Sequence, residues 1–314
     1  MPIVTDCDPS NDIASHHLPI VKLGSLDELW FQVAGTRCNL TCTHCFISCS
    51  PHNDSFGFLS FEAVERRLLE SVDWGVKEFY FTGGEPFLNP DLVMILERTL
   101  DFGPATVLTN GTVLKSEWLE RLRAAEQGSI YSLEFRVSID GPSPELNDPI
   151  RGPRAFERAL HGVELLVQFG FLPIITMTRV WDESEDDAVL SQFRAVLRQH
   201  GYDRPRLKVL PRLQLGAEAT RTHGYSGEER VTAEMLAGYD TSKLICQHSR
   251  VITDRGIAVC PILIDVPNAI LGESLHEAAR GFAITHGACS TCYQFGAICT
   301  NPSAAGGLKA RDTL

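Results

Sequence analysis

No apolar run in this chain approaches the roughly 18 residues that a membrane-spanning helix needs, which excludes a helical membrane protein and predicts a soluble one. Met1 to Ser15 lacks both a basic n-region and an apolar h-region, so it does not read as a secretory signal and a cytoplasmic location is expected. Positive charge is in short supply: 28 Lys and Arg face 40 Asp and Glu, a net charge of -12. That balance disfavours broad binding to nucleic acid, which needs basic surface, although a local basic groove stays open. Several motifs are missing too. There is no P-loop, no GxGxxG after a strand, no nucleophile elbow and no HExxH or HxxxH pairing, so His161, His200, His223 and His276 read as helix-face or loop residues. With 314 residues, 44% of them hydrophobic, the chain can bury one large core or two smaller ones; a catalytic body with a small addition is expected.

What the chain has instead is cysteine, 10 in all. In a reducing compartment these favour metal ligation over disulfides. Cys38-Asn39-Leu40-Thr41-Cys42-Thr43-His44-Cys45 places three thiols in a CxxxCxxC spacing, enough to wrap one soft metal centre from a single loop with one coordination position left open. Structural zinc usually takes four protein ligands, whereas an iron-sulfur cluster tolerates three thiolates and an exogenous fourth ligand. Zinc and a chance grouping are the alternatives.

The loop sits in a regular rhythm. Leu29 to Ala34 is a buried-type strand ending at Gly35, and Ser60 opens a helix through Phe61 to Leu69 as its N-cap. The unit recurs: strand 78–82 with a helix capped by Asn89-Pro90 and running to Leu100; strand 105–109 with a helix over 116–125; strand 133–139 with a helix over 154–169; strand 173–180 with a helix over 186–199; and strand 206–210. Strands alternating with such helices imply right-handed crossovers and a parallel sheet. Residues 1–25, with the lone Cys7, read as a flexible lead-in, and 26–240 as the barrel-like body. Residues 216–240 form a connection with one helix near 233–237.

Past Cys246, a hairpin over Arg250 to Cys260 turns at Gly256, a helix follows over 274–283, and Cys289-Ser290-Thr291-Cys292 precedes Cys299. Residues 241–302 thus form a small cysteine-rich extension, and 303–314 a disordered tail. Four thiolates from a hairpin and a CxxC would suit a second metal centre, of iron and sulfur or of zinc. Cys49 and Cys299 are spare, and most free cysteines are small buried hydrophobes.

With Asn39-Leu40 and Phe46 around the cysteines and Gly83-Gly84-Glu85-Pro86 after the second strand, the sequence resembles the radical S-adenosylmethionine (SAM) superfamily over about residues 28–300. The resemblance implies an α/β fold, a partial (βα)6 TIM-like barrel with the site at the strand C-terminal ends. It implies a [4Fe-4S] cluster on Cys38, Cys42 and Cys45 whose open iron binds SAM, and reductive cleavage to a 5'-deoxyadenosyl radical. The backbone near His44 would touch the adenine, Gly83, Gly84, Glu85 and Pro86 would receive the SAM amino group, and Ser138 and Arg151 the carboxylate, with Asn110 lining the same pocket. The tail resembles a Twitch or SPASM extension. A full SPASM needs more than the five cysteines here, so a Twitch-like unit with one auxiliary [4Fe-4S] cluster on Cys246, Cys260, Cys289 and Cys292 is expected. Cys299 either replaces Cys246 as a ligand or donates hydrogen to a substrate radical.

The resemblance implies the initiator and not the substrate. Maturation of a peptide or protein side chain leads; oxidation or rearrangement of a small natural-product or cofactor precursor is the alternative, and a zinc-binding interaction protein is the alternative of another class. The segment before Cys38 is short, so a leader-binding domain would be a separate protein. A low-potential donor such as flavodoxin or ferredoxin is expected.

Overall fold

The computed structural model describes residues 18–299. Cys7, most of the expected lead-in and the 303–314 tail lie outside that range. Within it, every strand expected of the body forms. β1 (Ile20–Val21) precedes β2 (Glu28–Gln32), β3 (Glu78–Thr82), β4 (Ala105–Thr109), β5 (Leu133–Ser138), β6 (Ile174–Thr178) and β7 (Arg206–Leu210). β2 to β7 pair in chain order and all in parallel, as a βα repeat with right-handed crossovers requires. The crossovers carry α1 (Phe61–Ser71), α2 (Leu92–Thr99), α3 (Ser116–Gly128), α4 (Pro144–Arg151), α5 (Ala155–Gln168) and α6 (Asp186–Gln199). Ser60 caps α1 as expected, its hydroxyl accepting from Ala63 N at 3.2 Å.

The C-terminal part adds α7 (Gly216–Thr222), α8 (Ala233–Leu236), β8 (Ser249–Thr253), β9 (Gly256–Ala258), β10 (Ile270–Gly272), α9 (Leu275–Ala278), β11 (Phe282–Ala283) and α10 (Gly287–Phe295). Its hairpin is not a detached module. β8 lies parallel to β2, with Trp30 opposite Val251, and β9 and β10 follow antiparallel, so one nine-stranded sheet runs from β10 to β7. Among the described residues β7 and β10 remain edges, and the barrel stays open on that side.

Four expectations need correction. The described end of the lead-in is anchored: β1 pairs with β11, and Val21 is buried. Asn89 does not cap α2. Its amide instead donates to the carbonyls of Val33 and Leu59, both at 2.8 Å, and Asp91 is the N-cap. The helix expected over 274–283 is a single turn, α9, followed by β11. The connection 216–240 holds two helices rather than one.

Alternation along the strands gives the sheet two unlike faces. One packs against helices through aromatic contacts, with Phe135 of β5 4.8 Å from Phe171 and 6.4 Å from Phe87 between ring centroids. The other faces the hollow of the barrel and is polar for its size: Trp30 stacks on Tyr80 at 4.2 Å, and Arg136, Ser138, Thr176 and Lys208 continue the same face. A polar lumen is what distinguishes a barrel that admits a ligand from one filled by branched side chains.

Candidate functional site

The cysteine loop leaves the C-terminal end of β2 and is held from three sides. Gly84 N donates to Gly35 O at 3.0 Å and Glu85 N to Arg37 O at 2.9 Å; Thr43 N reaches Ile150 O of α4 at 2.9 Å; Ala217 N of α7 reaches Cys45 O at 2.9 Å. The close approach explains the second glycine of Gly83-Gly84. A Cβ on Gly84 would lie 1.9 Å from the Arg37 carbonyl oxygen, so only glycine lets the two turns touch.

Cys38 is buried while Cys42 and Cys45 are half-buried, on the side where strand ends from β2 to β5 converge. Amide hydrogens already point at sulfur: Leu40 N donates to Cys38 Sγ at 3.4 Å and Cys49 N to Cys45 Sγ at 3.2 Å. Asn110, at the end of β4, aims Nδ2 at Cys38 Sγ from 3.7 Å and donates to Asn39 Oδ1 at 2.9 Å. Burial pushes the Cys38 thiol up to about 12 and Cys42 up to about 11, Arg151 opposing the latter. Cys45 moves the other way, to about 6, because the Cys49 thiol hydrogen-bonds to it against the cost of burial. Three thiols on one loop, ringed by N–H donors and one arginine, form a donor set suited to a cluster that takes three thiolates. Among the described residues no three His, Cys, Asp or Glu side chains converge as a single ion requires; a cubane, each iron taking one sulfur, asks for wider separation.

Glu85 is fully buried and faces inward. Its carboxylate accepts from Thr109 Oγ1 and Asn110 N, both at 2.7 Å, and from Phe87 N at 3.2 Å. Burial outweighs these bonds and raises it to about 7. Its visible work is to tie the turn after β3 to the end of β4. Pro86 starts the short turn of 3-10 helix that follows.

The residue that organises the other wall is Asp140, two positions past the end of β5, to which sequence reasoning gave no role. It is 1% exposed. His44 Nε2 and Arg151 Nε each lie 2.6 Å from Oδ2, and Thr178 N donates to Oδ1 at 2.7 Å. Burial works against its charge, but Arg151 and His44 prevail and hold the carboxyl well below the usual range. So His44, the residue before the third cysteine, and Arg151, the last residue of α4, are joined through one carboxylate. The only hint in the sequence was an acid at a strand's C-terminal end. Ser138 lies one step deeper, its hydroxyl 3.3 Å from Thr176 Oγ1.

In the tail, Cys246, Cys260, Cys289 and Cys292 line a single small apolar cavity. They arrive from a turn before β8, the end of β9, and α10, with leucine, isoleucine and phenylalanine side chains between them. Burial pushes Cys246 up to about 12 and Cys260 up to about 11. Beneath them Arg250, 1% exposed, donates to the carbonyls of Cys246 at 2.8 Å, Ser249 at 2.6 Å, Ala278 at 2.7 Å and Arg280 at 2.9 Å. Cys299 stands within electrostatic reach of Cys260 and Cys292, and its carbonyl accepts from Arg136 Nη1 at 2.5 Å. It therefore sits between this cavity and the lumen.

A profile described as the Radical SAM superfamily matches residues 33–189, which contain the loop, the glycine turn, Asn110, Asp140 and Arg151. The chain belongs to the radical SAM superfamily. It is therefore an enzyme, and membership implies SAM and a SAM-binding [4Fe-4S] cluster, so the zinc interaction protein is set aside. Among curated relatives, an AdoMet-dependent heme synthase of Methanosarcina barkeri is 39% identical over 45% of this chain and 39% of its own length. The antilisterial bacteriocin subtilosin biosynthesis protein AlbA of Bacillus subtilis is 33% identical over 45% of this chain and 31% of its own. Mycofactocin maturase MftC of Mycobacterium tuberculosis is 30% identical over 51% of this chain and 41% of its own. The matched part thus spans about a third to two fifths of these relatives. Among solved structures, anSMEcpe with bound AdoMet superimposes with a TM-score of 0.58 at 17% identity, covering 80% of each chain. Streptococcus suis SuiB bound to S-adenosylmethionine gives 0.57 at 17% identity, over 78% of this chain and 62% of that one. At such identity the likeness is one of fold. No described helix is long and apolar enough to cross a membrane.

Proposed function

We propose that this enzyme modifies a side chain of a peptide or protein by hydrogen abstraction, with a Twitch-like extension holding an auxiliary [4Fe-4S] cluster on Cys246, Cys260, Cys289 and Cys292. When bound by Cys38, Cys42 and Cys45, the first cluster supplies the electron that cleaves SAM to a 5'-deoxyadenosyl radical. The chain's own residues do the positioning. Gly83 and Gly84 would receive the SAM amino group through their backbone, Glu85 and Pro86 hold that turn, and Asn110 steadies the Cys38 sulfur. Arg151 and Ser138 would hold the SAM carboxylate, with Asp140 fixing Arg151 and His44 together.

The observation that supports this substrate is the sheet's pair of unpaired edges, β7 and β10 among the described residues, to either of which an extended chain could add as a further strand. The names of AlbA and MftC, a bacteriocin biosynthesis protein and a maturase, support the same reading. The heme synthase relative, at 39% identity, favours a second one, oxidation of a small cofactor precursor. Flavodoxin or ferredoxin would supply the electron.

The test is co-incubation of the reduced enzyme and SAM with deuterated forms of any short peptide encoded beside its gene. Deuterium should appear in 5'-deoxyadenosine and the peptide should change mass. An unchanged peptide, with label arriving instead from a small precursor, selects the second reading.

A further inference from the structure

Inside the barrel one buried arginine has half of its hydrogen-bonding edge unmet. We infer that Arg136 is a carboxylate-binding residue for the substrate, engaging it side-on through Nε and Nη2. The inference rests on the reading of this lumen as the reaction chamber and adds the substrate's chemical class.

Arg136 lies on the lumen face of β5, two residues and hence about 7 Å before the strand end at Ser138, with Asp140 a further two residues on. It is 2% exposed. Two contacts fix its plane: Nη1 donates to the Cys299 carbonyl, and Cζ lies 5.2 Å from the centroid of the Tyr80 ring, itself stacked on Trp30. Among the described residues Nε and Nη2, which share one edge of the guanidinium, have no hydrogen-bond partner. A buried charged donor left unmet is costly, so such an edge is seldom left without a purpose. The nearest acid does not fill it. Glu134 Oε1 is 3.8 Å from Nε, too far for a hydrogen bond, and Oε2 of the same residue is held by Arg206 Nη2 at 2.7 Å. Two parallel N–H groups match the two coplanar oxygens of a carboxylate, and Lys208 on β7 adds a second positive charge to the same face. The flanking rings of Tyr80 and Trp30 suit an apolar group beside that carboxylate.

Equilibrium dialysis of the anaerobically reconstituted enzyme with SAM, using hippurate and its neutral counterpart hippuramide as probes, tests the site. Wild type should bind hippurate at least ten-fold more tightly than hippuramide, and Arg136→Gln should bring the ratio near one. Arg136→Lys, which keeps the charge and so guards against a folding defect, should fall between, because it lacks the fork. Equal binding of the two probes by wild type, or a wild-type ratio in either variant, overturns the inference. Failure of the wild type to form 5'-deoxyadenosine would instead defeat the radical reading and would leave the probe ratio standing.

Discussion

At the scale of single residues, Asp140 is the joint between His44 and Arg151 in the wall proposed to bind SAM. Replacing it by Asn keeps the shape but leaves the buried Arg151 guanidinium without its counter-charge, which in proteins costs about 3–5 kcal/mol. Asp140→Asn should therefore lower the urea midpoint clearly and weaken SAM binding, with iron content retained, since no proposed ligand changes. Unaltered SAM affinity would show that Arg151 does not need Asp140. A second residue makes a pH prediction. Glu28, at the start of β2, is raised from 4.5 to about 8 by burial, with Glu78 adding to the shift and Trp30 Nε1 opposing it by donating at 3.3 Å. Its folded form binds the proton more tightly than its unfolded form, so its contribution is complete below about 4.5 and is lost as the pH rises toward 8. Wild type should lose stability over that window relative to Glu28→Gln, in which the group cannot titrate. Parallel profiles for the two proteins between pH 5 and 8 would refute this.

At the scale of elements, the contact between the glycine turn and the cysteine loop decides whether the first site forms. Gly84→Ala forces a methyl group onto the Arg37 carbonyl, and the loop must move. About half of the iron should be lost, from the first site alone, while the tail cavity, built from other elements, keeps its share. Full iron content would mean that the loop tolerates displacement. The six body strands were legible in the sequence because each is a short run of apolar or alternating residues bounded by turn residues, and β7 occupies the range expected of it. Other elements were not. α4 carries Pro149 in its interior, which argues against a helix, yet it delivers Arg151. α10 opens on glycine and contains serine and threonine between its cysteines, a composition without helical periodicity. β1 and β11 are two residues each, and only their tertiary pairing identifies them. The spacing of the cysteines was readable; the bonds of Thr109 and Asn110 to Glu85 and the bond between His44 and Asp140 join residues 24 to 96 positions apart and leave no local trace.

At the scale of the whole molecule, the sheet couples two regions that the sequence presents as separate. β8 runs beside β2, the strand that leads into the cysteine loop, and Arg250 of β8 grips the backbone at Cys246. The tail cavity and the cysteine-loop site are thereby held by one continuous sheet, with Cys299 and Arg136 meeting between them. The central claim is that this chain carries two iron-sulfur centres with different tasks. Its most direct test is the iron and sulfide content of anaerobically reconstituted Cys289→Ala, measured together with its 5'-deoxyadenosine formation under dithionite and SAM. The account predicts a fall from about eight irons and eight sulfides to about four of each, with SAM cleavage retained. A variant that keeps all its iron, or that loses half of it together with SAM cleavage, would contradict it.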